Sequence, residues 1–124
     1  MIEMLSDLPE GVTGIRVSGR LTAEDFIAIR PAVSTIFNAG REVRWVEVID
    51  DFRGFGKGAL REDVKLGLCT VLPRFRALRR TAIVADVDWL RRAMRVLAWM
   101  VPGEVAVFEL HEIDSAARWA AGWT

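Results

Sequence analysis

Few side chains in this sequence can do chemistry. There is one histidine, His111, and one cysteine, Cys69. That excludes any site needing two of either, multi-cysteine zinc sites included. His111 has no partner in its neighbourhood of the sequence and reads as a surface or capping residue. Cys69 has no adjacent histidine to activate its thiol and reads as unreactive. Three carboxylate pairs, Glu24-Asp25, Asp50-Asp51 and Glu62-Asp63, invite an acid–base reading. Asp50 and Asp51 end a strand, where successive side chains point to opposite faces. The other two pairs stand near helix starts, where the helix dipole accounts for them. No nucleophile–base pair is apparent, so the expectation is a chain with no catalytic residues, no metal and no cofactor.

Binding chemistry is more visible. Gly54-Phe55-Gly56-Lys57-Gly58 falls between a strand end and a helix start. Open α/β sheets bind ligands at such places, and backbone N–H groups there can cradle an anion. The pattern is not a phosphate-binding Walker loop, because no Ser or Thr follows Lys57. Asp50 and Asp51 would also repel phosphate. The candidate ligand residues are Phe52, Gly54, Phe55, Gly56 and Lys57. A second surface comes from a helix near residue 90. At 100° per residue, Leu90, Met94, Leu97 and Val101 share a core face. Arg91, Arg92 and Arg95 point away from it and Trp99 falls with them, while Trp89, Val96 and Met100 lie along the border. An indole on a charged helix face suits a membrane interface or a subunit contact.

These residues need a frame. Residues 2–5 and 12–18 read as strands joined by a short turn, hence an antiparallel hairpin. Thr22 caps a helix with Asp25 answering it. Phe26, Ile29, Val33, Ile36 and Phe37 form its stripe, Pro31 should kink or break it, and Gly40 ends it. Residues 43–50 make a central strand, with Trp45 in the core, and 51–58 a loop. A second helix starts near Ala59, with Leu60, Val64, Gly67, Leu68 and Val71 as its apolar stripe, and ends near Pro73. Residues 81–85 form a strand covered on both faces. Asp88 caps a third helix running to about Val101, residues 105–109 form the last strand, and residues 113–123 a closing helix that carries Trp119. The alternation predicts a single α/β domain over residues 1–124: a mostly parallel sheet of four or five strands with an antiparallel first hairpin, covered by about four helices.

The composition agrees. The chain has 124 residues, 52% of them hydrophobic, and 17 basic residues balance 17 acidic ones. A neutral chain lacks the basic excess of a nucleic-acid binder. No apolar run approaches the length of a membrane span, and the first residues lack the basic start of a secretory signal, so a cytoplasmic location is expected. Neutrality hides an asymmetry. Between Arg74 and Arg95 lie seven arginines and two acids, a net charge of +5 that leaves −5 elsewhere. Such a region could meet an anionic membrane at about 1 kcal/mol per arginine, or an acidic face of a second copy in a homodimer.

Four segments carry a family resemblance. They are Gly19-Arg20-Leu21-Thr22-Ala23-Glu24-Asp25-Phe26, Asp51-Phe52-Arg53-Gly54-Phe55, residues 59–68, and Pro102-Gly103-Glu104-Val105-Ala106-Val107-Phe108. In order and spacing the chain resembles the SpoIIAA-like family, with a STAS-like domain. The resemblance implies kinship with anti-sigma-factor antagonists and with lipid-carrying CRAL-TRIO domains. It also implies a binding role at membranes or toward apolar ligands, without enzymatic activity. Three departures stand out. Arg61 occupies a position where many members carry an aromatic. Residues 69–77 are longer by about one helical turn. Residues 49–58 contain no Ser, Thr or Tyr, so the phosphorylation switch of the antagonists has no hydroxyl to act on. The leading expectation is a non-enzymatic module binding an apolar or lipid-like molecule, peripherally at a membrane. The alternative is a protein-interaction regulator that works without phosphorylation.

Overall fold

In the computed structural model, which describes residues 1–123 (Thr70, Phe75 and Leu97 by backbone alone), five strands form one sheet in the order β1-β2-β3-β4-β5. The strands are β1 (Ile2–Met4), β2 (Val12–Leu21), β3 (Val43–Phe55), β4 (Leu78–Ala85) and β5 (Glu104–Phe108). β1 runs antiparallel to β2, and every other pairing is parallel. Helices α1 (Ala23–Phe37), α2 (Ala59–Leu66) and α3 (Asp88–Leu97) cross between parallel strands, and α4 (Ile113–Ala120) closes the chain.

Strand alternation splits the core in two. Val12, Val46, Val48, Ala82 and Val84 meet Ala116 and Ala120 of α4 on one face. On the other, Ile15, Val17, Val43 and Trp45 meet Phe26, Ile29, Val33 and Phe37 of α1, with Ala59 and Leu66 of α2. Ile49, Ile83 and Ala85 receive Leu90 of α3. β4 is therefore buried on both faces, as its unbroken apolar run predicts. Thr22 and Asp25 form the expected reciprocal cap of α1.

Several expectations are corrected. Pro31 does not break α1, which runs unbroken through it. The hydrogen bond that proline removes would have reached Ile27, and both residues are exposed, so water can satisfy the freed carbonyl. Residues 51–55 are strand rather than loop. Asp51 adopts φ 51° and drops out of register, so that Ser18 pairs with Asp50 but Gly19 with Phe52. This bulge lets β3 continue along β2. Val87, not Asp88, precedes α3 as its cap, and Asp88 pairs with Arg91 one turn on. α3 gives way to a 3₁₀ turn at Ala98–Met100. α2 ends at Leu66 and passes into a π-helical turn, Gly67–Val71, and a 3₁₀ segment, Leu72–Ala77.

The largest correction concerns the direction of α2. Much of its expected apolar stripe faces outward: Leu60, Val64 and Leu68, followed by Leu72, are 57%, 50%, 58% and 54% exposed, whereas Val71 packs against the core. The inward residues are Ala59 and Leu66, with Asp63 between them. Glu62 fixes this orientation by pairing with Arg30 of α1.

Candidate functional site

The face of β3 under α1, α2 and α3 presents Val43, Trp45, Glu47 and Ile49 in alternation. Val43, Trp45 and Ile49 are ordinary core residues. Glu47 is not: it stands at the middle of the central strand, with Ile15 of β2 and Ile83 of β4 as its register neighbours. Over it lies Asp63 of α2.

Around these two acids the packing leaves space. One cavity of about 290 Å³ is walled by Ile15, Val17 and Leu21 of β2, Phe26 and Ile29 of α1, Ile49, Phe52 and Phe55 of β3, Leu66 of α2, and Trp89, Leu90 and Met94 of α3. A second, of about 220 Å³, is walled by Val33, Phe37, Trp45, Val71, Leu78, Thr81 and Val101. Ile15, Glu47, Asp63 and Leu66 line both. The two carboxylates therefore stand where two apolar chambers adjoin. Phe55 and Trp89 are exposed and form part of the rim of the larger one.

The chambers are electrostatically unusual. Burial pushes the Glu47 carboxyl up to about 6 from an ordinary 4.5, and the charge of Asp63 adds to this, while the Trp45 side chain pulls weakly back. Burial also raises Asp63. Each shift has the sign expected of a carboxylate removed from water. Among the described residues neither acid belongs to an ion pair. The nearby cations are held by Glu62 instead: Arg30 pairs with it and Lys65 lies 3.9 Å from it. In the smaller chamber the Thr81 hydroxyl is buried, with no hydrogen-bond partner among the described residues.

Of the expected ligand residues, Phe52 and Phe55 line the larger cavity. Phe55 packs 6.3 Å from Phe26 and 5.4 Å from Phe52, ring centre to ring centre. Gly54, Gly56 and Lys57 are not among its walls. Gly54 has φ 94°, and the Gly56 N–H donates to the Leu21 carbonyl at 2.6 Å, so these glycines turn the chain into α2. Lys57 is exposed.

Trp99, in the 3₁₀ turn that follows α3, is 80% exposed, and Arg92 and Arg95 of α3 are exposed too. Trp89, Val96 and Met100, expected on the border, are also exposed. Leu90 is buried and Met94 half-buried, as expected of the core face; the Leu97 side chain lies outside the described residues. Arg91 departs from the expectation. It folds back to donate to the Ala85 carbonyl at 2.6 Å and pairs with Asp88. Arg92 and Arg95 border a groove shared with Asp88, Glu109 and Glu112, so the face is of mixed charge.

The remaining chemistry is local. His111 is exposed, 3.6 Å from Glu109. With Glu112 it gathers three possible ligand atoms, but the Glu109 and Glu112 side chains already cap the turn between them. Asp50 pairs with Arg16, and Asp51 with Arg53.

The site's two acids escaped the sequence reading for different reasons. Glu47 carried a usable signal, since it shares parity with Val43, Trp45 and Ile49 and interrupts an otherwise apolar set on that face of the strand. Asp63 was hidden, because the Leu60, Val64 and Leu68 spacing assigned the opposite side of α2 to the core.

Comparison with known proteins bears on the fold. A family model described as SpoIIAA-like matches residues 12–121. No curated protein matches this chain. A crystal structure of an uncharacterized DUF3478-family protein from Shewanella loihica PV-4, with a SpoIIAA-like fold, superposes with a TM-score of 0.71 at 24% identity. The match covers 97% of this chain and 92% of that one.

Proposed function

We propose, from the premise that this chain belongs to the SpoIIAA-like family, that it is a non-enzymatic module binding an apolar or amphipathic, lipid-like molecule. The observation that carries this reading is the cavity of about 290 Å³ between the sheet and α1, α2 and α3. Its walls are almost wholly hydrocarbon and aromatic, as small-molecule pockets generally are. Good packing normally leaves no such space. Exposed Trp89, Trp99, Val96 and Met100, with Arg92 and Arg95 beside them, support delivery at an anionic membrane surface. Among the described residues no helix is long and apolar enough to cross a membrane, so the association proposed is peripheral.

The test is binding of N-phenyl-1-naphthylamine, a neutral fluorophore that brightens in apolar surroundings. The reading expects saturable fluorescence, displaced by decanol. Absence of saturable binding counts against it. Co-sedimentation with phosphatidylglycerol vesicles at low salt tests the membrane part separately.

The outward row Leu60, Val64, Leu68 and Leu72 favours a second reading, a protein-interaction regulator or homodimer. Contiguous exposed apolar surface commonly marks a contact. Sedimentation velocity of the wild type beside a Val64→Lys, Leu68→Lys variant distinguishes them. A dimer lost in the variant supports this reading, and a monomeric wild type removes the homodimer.

A further inference from the structure

The cavity's polar groups define the head group of its ligand. Both chambers draw their walls from β2, β3, α1 and α2, the larger also from β1 and α3, the smaller also from β4, the π-helical turn and Val101. Among all these residues the ionisable groups are Glu47 and Asp63, and no Lys, Arg or His is present. An anionic head, such as a carboxylate or a phosphate, would meet two like charges in surroundings that screen poorly. A neutral hydroxyl would find acceptors but leave the charges uncompensated. An ammonium group supplies both positive charge and three N–H donors, and hydrogen bonds between ionised partners are the strong ones. A bare divalent ion fits poorly, because calcium takes six to eight oxygen ligands and magnesium an octahedron of them. Two carboxylates and the Thr81 hydroxyl among hydrocarbon walls fall short of that.

We propose that the cavity selects amphiphiles carrying a primary ammonium head, held between Glu47 and Asp63, and rejects those with anionic heads. The inference rests on the ligand-binding reading above and adds the ligand's chemical class. Size limits the tail. A volume of about 290 Å³ equals about ten water-sized units at liquid density. That suits a short or medium alkyl chain lying against Phe52 and Phe55. The raised carboxyl of Glu47 supports the geometry, since an ammonium partner is what would return it toward its ordinary value.

The experiment uses the full chain and displacement of N-phenyl-1-naphthylamine near neutral pH by decylamine, decanol, decanoate and decyltrimethylammonium. Decylamine is expected to displace the probe at concentrations about 10- to 100-fold lower than decanol, as a charge-assisted hydrogen bond provides. Decanoate should be the weakest. Glu47→Gln should bring the displacement concentrations of decylamine and decanol close together, chiefly by weakening decylamine. Equal displacement by decanoate and decylamine overturns the proposal, as does a Glu47→Gln variant that keeps the preference. Decyltrimethylammonium matching decylamine overturns the role given to N–H donation. In each of these cases decanol still displaces the probe and the binding reading stands. Failure of decanol itself overturns that reading and this proposal with it.

Discussion

Replacing Glu47 by Gln should make the protein more stable, and only above a certain pH. In the folded chain the Glu47 carboxyl is raised from 4.5 to about 6 by burial and by Asp63. The native state therefore holds this proton more tightly than the unfolded chain does. Its contribution to stability is fully present below about 4.5, and is lost as pH rises through about 6. At 1.36 kcal/mol for each tenfold change in proton affinity, the loss at about pH 8 is about 2 kcal/mol. Gln keeps the shape and carries no charge, so the variant escapes that loss. Thermal unfolding of both proteins across pH provides the assay. At about pH 8 the variant should melt about 5–10 °C higher, given the scaling for a domain of this size. Near pH 4 the two should coincide, because Glu47 is then protonated in both states. An equal or lower melting temperature for the variant at high pH would rule out a buried, destabilising Glu47 charge, as would a gain that does not change with pH.

Other substitutions probe the remaining parts of the account. Arg91→Ala should cost about 1–3 kcal/mol in chemical denaturation, because it strips the Ala85 carbonyl of its donor, while exposed Arg92→Ala should stay within about 0.5 kcal/mol. Gly103 has φ 77° and a Cβ built on it would lie 2.5 Å from the Arg79 carbonyl oxygen. Gly103→Ala should therefore lower stability by about 2 kcal/mol or more, read from the same denaturation curves. Trp99→Ala should weaken co-sedimentation with anionic vesicles about tenfold, the loss of one exposed aromatic that the bilayer would bury, without changing the melting temperature. Unchanged sedimentation would detach Trp99 from any membrane role.

The fold was largely legible because it rests on local signals that agree with one another. Thr22 and Asp25 marked a helix start, the β-branched run from Val43 marked a central strand, and alternating strands and helices implied parallel pairing. The errors fell where two physical effects compete. Pro31 signals a break only if the lost hydrogen bond is buried, and here it faces water. Asp51 lengthened β3 through a bulge that no propensity announces. The direction of α2 was misjudged because periodicity identifies an apolar face but not what that face meets. In α2 the Arg30–Glu62 pair and buried Leu66 hold Asp63 inward. That inversion created the site. Phe52 and Phe55, conspicuous as aromatics beside a strand end, do line the larger cavity, whereas Asp63 was attributed to the helix dipole and Glu47 was passed over.

The space between the sheet and α1, α2 and α3 is proposed to be a ligand chamber. The five tryptophans test it directly, since their indole N–H resonances report separately by NMR. Trp89 lines the larger cavity and Trp45 the smaller, whereas Trp99, Trp119 and Trp123 line neither. Titration with decanol should move the Trp89 and Trp45 signals saturably and leave those of Trp119 and Trp123 in place. Signals that stay fixed at Trp45 and Trp89, or that move only at exposed Trp99, would contradict a chamber inside the fold.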